Sequence, residues 1–184
     1  MGVLERVYGD SALDRVKAEL GDRVIEARTN FDQVDLVVAP EFLVEVVTRL
    51  RDAEGIACRF FTFLSGVDRT LYGDEEHRPE KPYEVLIHLY SPDYALHVNI
   101  HVPMAADDLV CPSISGVFGG ALWHERECHE MFGFDFPGHP GLVNLYLPED
   151  FEGHPLRKDF HLATRVVKPW PGAKDPDEAA GGKR

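Results

Sequence analysis

Residues 83–102, which read YEVLIHLYSPDYALHVNIHV, decide the fold of this chain. Two runs within them alternate apolar and other side chains with the period of two that is typical of β-strands. In the run Leu96–Val102, four aliphatic residues alternate with two histidines and an asparagine. The run Tyr83–Tyr90 alternates similarly, and Ser91-Pro92-Asp93 predicts a tight turn between the two. The pair should therefore bury one face and leave the other polar.

Earlier segments predict two helices and three further strands. These are a helix over 12–20 between the cap Ser11 and the stop Gly21, a hairpin of Val24–Arg28 and Val34–Val38, a helix begun near Pro40 and ended at Gly55, and a strand over Cys58–Leu64. In the second helix, Phe42, Leu43, Val46, Val47 and Leu50 form one apolar stripe. Residues 66–82 are polar and rich in turn formers, which predicts a long exposed hairpin loop.

The order α-β-β-α-β-β-β predicts an α+β fold, a two-layer domain with helices on one face of a mixed sheet. A helix and an extended C-terminal arm should follow it. We therefore expect an α+β domain over 1–121, and over 122–184 a helix and partner-binding arm that belong to the same compact unit at their start. After Leu162, repeated proline and glycine residues predict an irregular tail.

Composition limits the classes of partner and compartment. The formal net charge of −13 repels nucleic-acid backbones and anionic lipids, so we expect no nucleic-acid partner. No apolar run approaches the length needed to cross a bilayer, and the N-terminus does not read as a secretory signal, so we expect no direct membrane insertion. Cys58, Cys111 and Cys128 are odd in number and far apart, as expected for reduced thiols inside cells.

Residues 122–162 concentrate the chemistry-bearing side chains, and a zinc hydrolase is the first enzyme class to consider. His124 and His129 lie on a predicted helix from Trp123 to Phe132, but they are five residues apart instead of the four that aim two rings at one ion. His124 and Cys128 have the right spacing for a chelating pair. A zinc-dependent hydrolase therefore stays open as a remote alternative, and solvated or hydrogen-bonded histidines are favoured.

Other enzyme classes fit the pattern less well. Three scattered cysteines cannot hold an iron–sulfur cluster, and residues 116–120 lack the spacing of a phosphate-binding loop. A nucleophilic Cys128 would need a facing histidine and an oxyanion hole, and neither is indicated. We interpret Cys58 as a small core residue on a strand and the other two thiols as unreactive. The glycines at 119 and 120 should make a bend before the helix.

The charged helix is better explained by packing and partner binding. Steps of 100° per residue place Glu127 between Trp123 and Met131, on the face that should be buried, so this acid needs a partner. Arg126 and Glu130 have the spacing of an i, i+4 pair. A domain helix with one glutamate reaching solvent stays open. The favoured interpretation is that one side packs on the domain and the other on a second protein, because such aromatic and arginine side chains are enriched at interfaces.

Two Gly-His-Pro units, at 138–140 and 153–155, predict rigid irregular loops. In each, the glycine can take positive φ, while the proline fixes φ and favours an extended histidine. Arg157, Lys158 and Asp159 then form a locally basic spot in an acidic chain, suited to a partner surface that bears carboxylates.

Four short motifs in fixed order carry a family resemblance. They are Glu125-Arg126-Glu127, Met131-Phe132-Gly133, Gly138-His139-Pro140 and Glu152-Gly153-His154-Pro155-Leu156-Arg157-Lys158-Asp159. Together they resemble the signature of the 30-kDa-type (C) subunit of the proton-pumping NADH:quinone oxidoreductase, respiratory complex I. One departure is that an acid and a basic pair usually follow the first Gly-His-Pro in that family, whereas this chain has Gly141, Leu142, Val143 and Asn144.

The resemblance implies a non-catalytic subunit of a translocase. It would be a cofactor-free peripheral-arm protein docked on the neighbouring quinone-site (D) subunit, with FMN, iron–sulfur clusters and quinone held in partner subunits. It would lie at the cytoplasmic face of the cell membrane and support electron transfer from NADH to quinone coupled to proton translocation. An equivalent scaffold protein in a membrane-bound hydrogenase or another donor:quinone oxidoreductase stays open.

No catalytic, cofactor-binding or metal-binding residue is assigned to this chain. The residues expected at the partner interface are Trp123, Glu125, Arg126, Glu127, Met131, Phe132, Gly138, His139, Pro140, Gly153, His154, Pro155, Leu156, Arg157, Lys158 and Asp159.

Overall fold

A five-stranded sheet with helices against one face organises the chain. The computed structural model describes residues 9–162, apart from 75 and 77. Its helices and strands are α1 Gly9–Leu20, β1 Glu26–Asn30, β2 Gln33–Val37, α2 Leu43–Asp52, β3 Phe60–Asp68, β4 Tyr83–Ser91, β5 Leu96–Met104 and α3 Ala121–Phe132. The predicted α+β class, with helices on one face of a mixed sheet, is confirmed. The division of the chain after residue 121 stays a prediction, and the predicted irregular tail beyond Leu162 lies outside the described residues.

The strand order is β1-β2-β5-β4-β3, and the β2–β5 pair is parallel whereas the other pairs are antiparallel. Strand β5 lies at the centre, so its alternation is the clearest in the chain. Val98, Ile100 and Val102 are completely buried under the helices, and His97 and His101 face the other side. The alternation of residues 83–102 therefore sets both the position and the orientation of the central pair.

The β1–β2 and β3–β4 hairpins differ in how they turn. Phe31 and Asp32 connect β1 to β2 with φ of 49° and 60°. Positive φ at both positions matches the twist of the paired strands and permits a two-residue turn. The loop of the β3–β4 hairpin begins later than the sequence predicts. Gly66, Val67 and Asp68 continue strand β3 and pair with the start of β4. The exposed connection consequently begins after Asp68.

Two further expectations about the helical layer need correction. Cys58 is buried, as expected of a core residue, but it precedes β3, and its N–H donates to the carbonyl of Leu50 at the end of α2. Phe42 was expected in the apolar stripe of α2. It lies instead in the 3-10 turn before that helix and is 39% exposed, because the helix proper begins at Leu43.

Candidate functional site

Helix α3 lies across strand β3, at the edge of the sheet. Ala121, Cys128 and Phe132 form its buried side within the same core as the rest of the domain. Gly66 of β3 permits this close approach, since a Cβ atom there would lie 2.5 Å from the ring of Phe132. A glycine in a strand often marks such a close contact. The helix is thereby fixed, and its remaining sides are available to hold the segment that follows.

The buried acids of α3 are Glu125 and Glu130, so the expectation that Glu127 lies on the buried face is wrong. Glu125 is 0% exposed, whereas Trp123, the residue used to locate that face, is 57% exposed. The Glu125 carboxylate accepts hydrogen bonds from the Ser113 hydroxyl at 2.6 Å and the Ile114 N–H at 2.7 Å. Burial raises the pKa of Glu125, and these donors oppose the rise. Glu125 therefore ties the loop before α3 to the helix.

The C-terminal end of α3 is capped by the second Gly-His-Pro segment. The last four carbonyls of a helix lack partners within the helix. Here each of them has a donor from the chain that follows. The pairs are His129 O with Gly133 N at 2.9 Å, Glu130 O with His154 Nδ1 at 2.9 Å, Met131 O with Leu156 N at 3.1 Å, and Phe132 O with Arg157 Nε. The motif thus acts as a cap made by residues more than twenty positions away.

Gly133 makes this cap sterically feasible. It ends α3 in the left-handed conformation with φ of 79°. A Cβ atom on Gly133 would lie 2.6 Å from both the Arg157 guanidinium and the His154 ring. Glycine is therefore required here for its backbone conformation and for the space that it leaves.

The first Gly-His-Pro segment is also attached to α3. Gly138 has φ of 93°, as the sequence suggested for this unit. The Gly141 N–H donates to His139 Nδ1 at 3.0 Å, so Nε2 carries the ring proton and donates to the Leu122 carbonyl at 3.0 Å. Both motif histidines thus donate to main-chain carbonyls of the same helix. In this arrangement they serve as anchors for loops.

Arg126 and Glu130 hold the next segment, residues 143–147. The Arg126 guanidinium donates to the carbonyls of Val143 and Asn144 at 2.8 and 2.6 Å. The Glu130 carboxylate accepts three consecutive main-chain N–H groups, those of residues 145, 146 and 147. Burial alone would raise the pKa of Glu130, but these amides and nearby Arg126 hold it below its ordinary value. The expected Arg126–Glu130 pair therefore acts mainly through the backbone that both side chains bind.

Asp68, which the sequence did not single out, holds the end of the arm. Its carboxylate accepts the Lys158 N–H at 2.8 Å and both the N–H and the hydroxyl of Thr70. Although burial opposes it, these donors keep the pKa of Asp68 below its ordinary value. The Arg157 guanidinium lies over the Tyr83 ring, 5.4 Å from its centroid. Nothing in the local sequence around Asp68 indicated that it would bind Lys158, ninety residues later.

The histidine and the cysteine considered for zinc both pack against the domain. His124 Nδ1 lies 3.0 Å from the carbonyl oxygen of Leu64, and its ring packs edge-on against Phe61. Cys128 is buried, and burial raises the pKa of its thiol. Within residues 9–162, excluding 75 and 77, no group of three histidine, cysteine or acidic side chains is arranged to hold a metal ion.

The predicted interface residues divide into two groups. Buried or partly buried members build the site, and Glu125 and Phe132 are the most buried among them. Exposed members form a surface, and Trp123 and Leu156 are its largest side chains, 57% and 49% exposed. Tyr146 and Val143, 63% and 61% exposed, join this surface, and neither is among the predicted interface residues. The contact of this surface with a partner stays a prediction.

Residues 36–166 match the model of the family described as respiratory-chain NADH dehydrogenase, 30 Kd subunit. The chain belongs to this family. The match includes strands β3 to β5, α3 and both Gly-His-Pro segments. A relative from Mesorhizobium japonicum, named as the C subunit of NADH-quinone oxidoreductase, is 37% identical over 83% of this chain and 74% of its own. A relative of the same name from Roseiflexus sp. (strain RS-1) is 36% identical over 85% of this chain and 86% of its own.

Solved structures support the family fold. The trypsin-resistant fragment of Nqo5 aligns with a TM-score of 0.57 and 23% identity, covering 71% of this chain and 99% of the fragment. A chain of the membrane-bound sulfane sulfur reductase, an archaeal respiratory membrane complex, aligns with a TM-score of 0.67 and 18% identity. The alignment covers 89% of this chain and 96% of that one. At these identities the likeness concerns the fold alone. In this chain, no helix among the described residues has the length and hydropathy to span a bilayer.

Proposed function

We propose that this chain is a cofactor-free scaffold subunit of an NADH-quinone oxidoreductase, one that holds neighbouring subunits in fixed relation. Membership of the family and the names of its relatives support the complex. The observation that carries the scaffold role is the full set of donors on the C-terminal carbonyls of α3. Those contacts fix an irregular surface segment without placing an acid, base or thiol in a reactive arrangement.

The partner in this proposal is the quinone-site (D) subunit, and the complex transfers electrons from NADH to quinone with coupled proton translocation. FMN and iron–sulfur clusters then belong to other subunits. The chain lies on the cytoplasmic face of the membrane as a peripheral component. The sixteen predicted interface residues contribute in two ways, some by shaping α3 and its attached loops, and others, such as Trp123 and Leu156, by direct contact.

Deletion and complementation test this function. Membranes from a strain without the gene should lose NADH:quinone activity and the intact complex on native gels, while NADH oxidation by artificial acceptors is retained. The purified chain should contain no stoichiometric metal or flavin and should restore the complex. Tight stoichiometric metal in the purified chain, or full quinone activity without the chain, would contradict the proposal.

A second candidate keeps the scaffold role but changes the electron donor. The fold likeness to a chain of the archaeal sulfane sulfur reductase, over 89% of this chain, favours it. Purified complex that lacks an NADH-oxidising module would select this candidate.

A further inference from the structure

Three large side chains are exposed together on one side of α3 and its attached segment. Trp123, Val143 and Tyr146 are 57%, 61% and 63% exposed. Val143 and Tyr146 lie beside the helix, because Arg126 binds the carbonyl of Val143 and the Tyr146 hydroxyl donates to Glu127 at 3.3 Å. Trp123 precedes Arg126 and Glu127 by one helical turn. We call Trp123, Glu127, Val143 and Tyr146 the α3 patch.

The backbone beneath the patch is fixed before any partner arrives. Arg126 binds two consecutive carbonyls, and Glu130 binds three consecutive N–H groups, over residues 143–147. A loop held in this way loses little conformational entropy on association. Tryptophan and tyrosine on a rigid support are the side chains that most often dominate binding energy at protein interfaces.

The charge of the patch indicates the chemistry of its partner. Arg126 and Glu130 both bind the backbone, and their opposite charges offset each other. Glu127, in contrast, has no cation within ion-pair distance among the described residues, and it raises the pKa of Tyr146. Exposed Glu149, Asp150 and Glu152 follow the same segment. The adjoining Phe151 lines a small cavity with Glu130. The patch is therefore aromatic and acidic, and a basic partner complements it.

We propose that the α3 patch binds a neighbouring protein subunit that receives Trp123 in an apolar pocket and places an arginine or lysine against Glu127. This inference rests on the proposed scaffold function and specifies the chemistry of its contact. It also reverses the polarity expected from the sequence. Arg157, one of the two cations of the predicted basic spot, is occupied by the Phe132 carbonyl and the Tyr83 ring.

Titration of depleted membranes with purified full-length chain tests the proposal. The membranes come from a strain without the gene, and the measured quantity is the chain concentration that gives half-maximal assembly on native gels. Trp123→Ala should raise it about 30-fold, the change expected for a hot spot of about 2 kcal/mol. Glu127→Lys should raise it at least as much. Glu127→Gln should raise it less and reduce its dependence on NaCl.

Two control variants match these changes in chemistry but lie elsewhere. Leu71→Ala removes a comparably exposed apolar side chain, and Glu54→Lys reverses an exposed acid beyond α2. Both should assemble like the wild-type chain. Tyr146→Phe removes the hydroxyl bound to Glu127 but retains the ring, so it should stay within about threefold of wild type. Thermal melting of each variant checks that the fold is intact.

The outcomes separate this proposal from the scaffold function on which it rests. If the wild-type chain assembles and Trp123→Ala and Glu127→Lys assemble equally well, the patch proposal is overturned and the scaffold function stands. If the wild-type chain does not assemble, both are overturned. If the free chain forms a dimer that Trp123→Ala abolishes, the patch binds a second copy and the proposal is wrong. If Tyr146→Phe is as defective as Glu127→Lys, Glu127 acts by positioning Tyr146, and the proposed cation is excluded.

Discussion

Replacing Glu130 with glutamine should detach residues 143–147 from α3. Glu130 is 5% exposed, and its carboxylate accepts the N–H groups of residues 145, 146 and 147 at 3.2, 3.0 and 2.5 Å. Glutamine retains one oxygen and places an NH₂ group at the other position, where it faces a donor. At least one partly buried N–H then loses its acceptor. We expect a loss of about 2–3 kcal/mol of unfolding free energy.

The matched control is Glu127→Gln on the same helix. Glu127 is partly exposed, and among the described residues its one hydrogen bond is that from Tyr146 at 3.3 Å, so this change should cost less than about 0.5 kcal/mol. Urea unfolding followed by circular dichroism at pH 7 measures both variants. The Glu130 variant should also melt about 4–12 °C lower. Equal stability of the two variants would refute the assignment of Glu130 as the anchor.

The same comparison has a defined pH dependence. The folded protein holds the pKa of Glu130 below its ordinary value. A carboxyl with a depressed pKa stabilises the fold above its unfolded pKa of about 4.3, and that contribution is lost as the pH falls through the folded pKa. The stability difference between wild type and Glu130→Gln should therefore be complete at pH 6–7 and shrink in acid. A difference that is constant down to acid pH would exclude the charged carboxylate as its source.

Three further perturbations follow from the cap and the core. Gly133→Ala should destabilise the chain by about 2 kcal/mol or more in urea unfolding, because it combines positive φ with contacts of 2.6 Å; Gly141→Ala, with open space around its Cα, is the control. Arg157→Ala should lose about 2 kcal/mol by removing the Phe132 bond and the contact with Tyr83, whereas Arg157→Lys should recover only part of it. Thiol reagents at pH 8 should leave Cys58 unmodified until the protein unfolds, since burial raises its pKa to about 12; fast labelling of the folded chain would contradict this.

The cap also explains why short motifs were a better guide to this chain than single residues. Gly133, His154 and Arg157 are useful only together: the glycine leaves the space, and the other two side chains fill it. Each is common by itself. Their joint presence in order identified the family, although His154 and Arg157 were predicted to lie on a partner surface and not at the helix end.

Local periodicity determined much of the fold from the sequence. Alternation over residues 83–102 and the stripe of α2 were sufficient for the α+β class, because burial of one face is decided by neighbours two, three or four positions away. Strand ends were less accurate. Gly66 and Asp68 belong to β3 because of cross-strand pairing, and local residue preferences do not encode that pairing.

Only the tertiary structure decided which acids of α3 are buried and what the arm's polar groups bind. Glu125 and Glu127 look equivalent in a short helix with apolar residues on several sides, and the position of β3 selects Glu125. The contacts of Asp68 with Lys158 and of Glu130 with residues 145–147 join positions far apart in the chain. Such pairs depend on the path that the backbone takes in the tertiary structure. The sequence by itself therefore determined the family and the layers, and long-range packing determined the site.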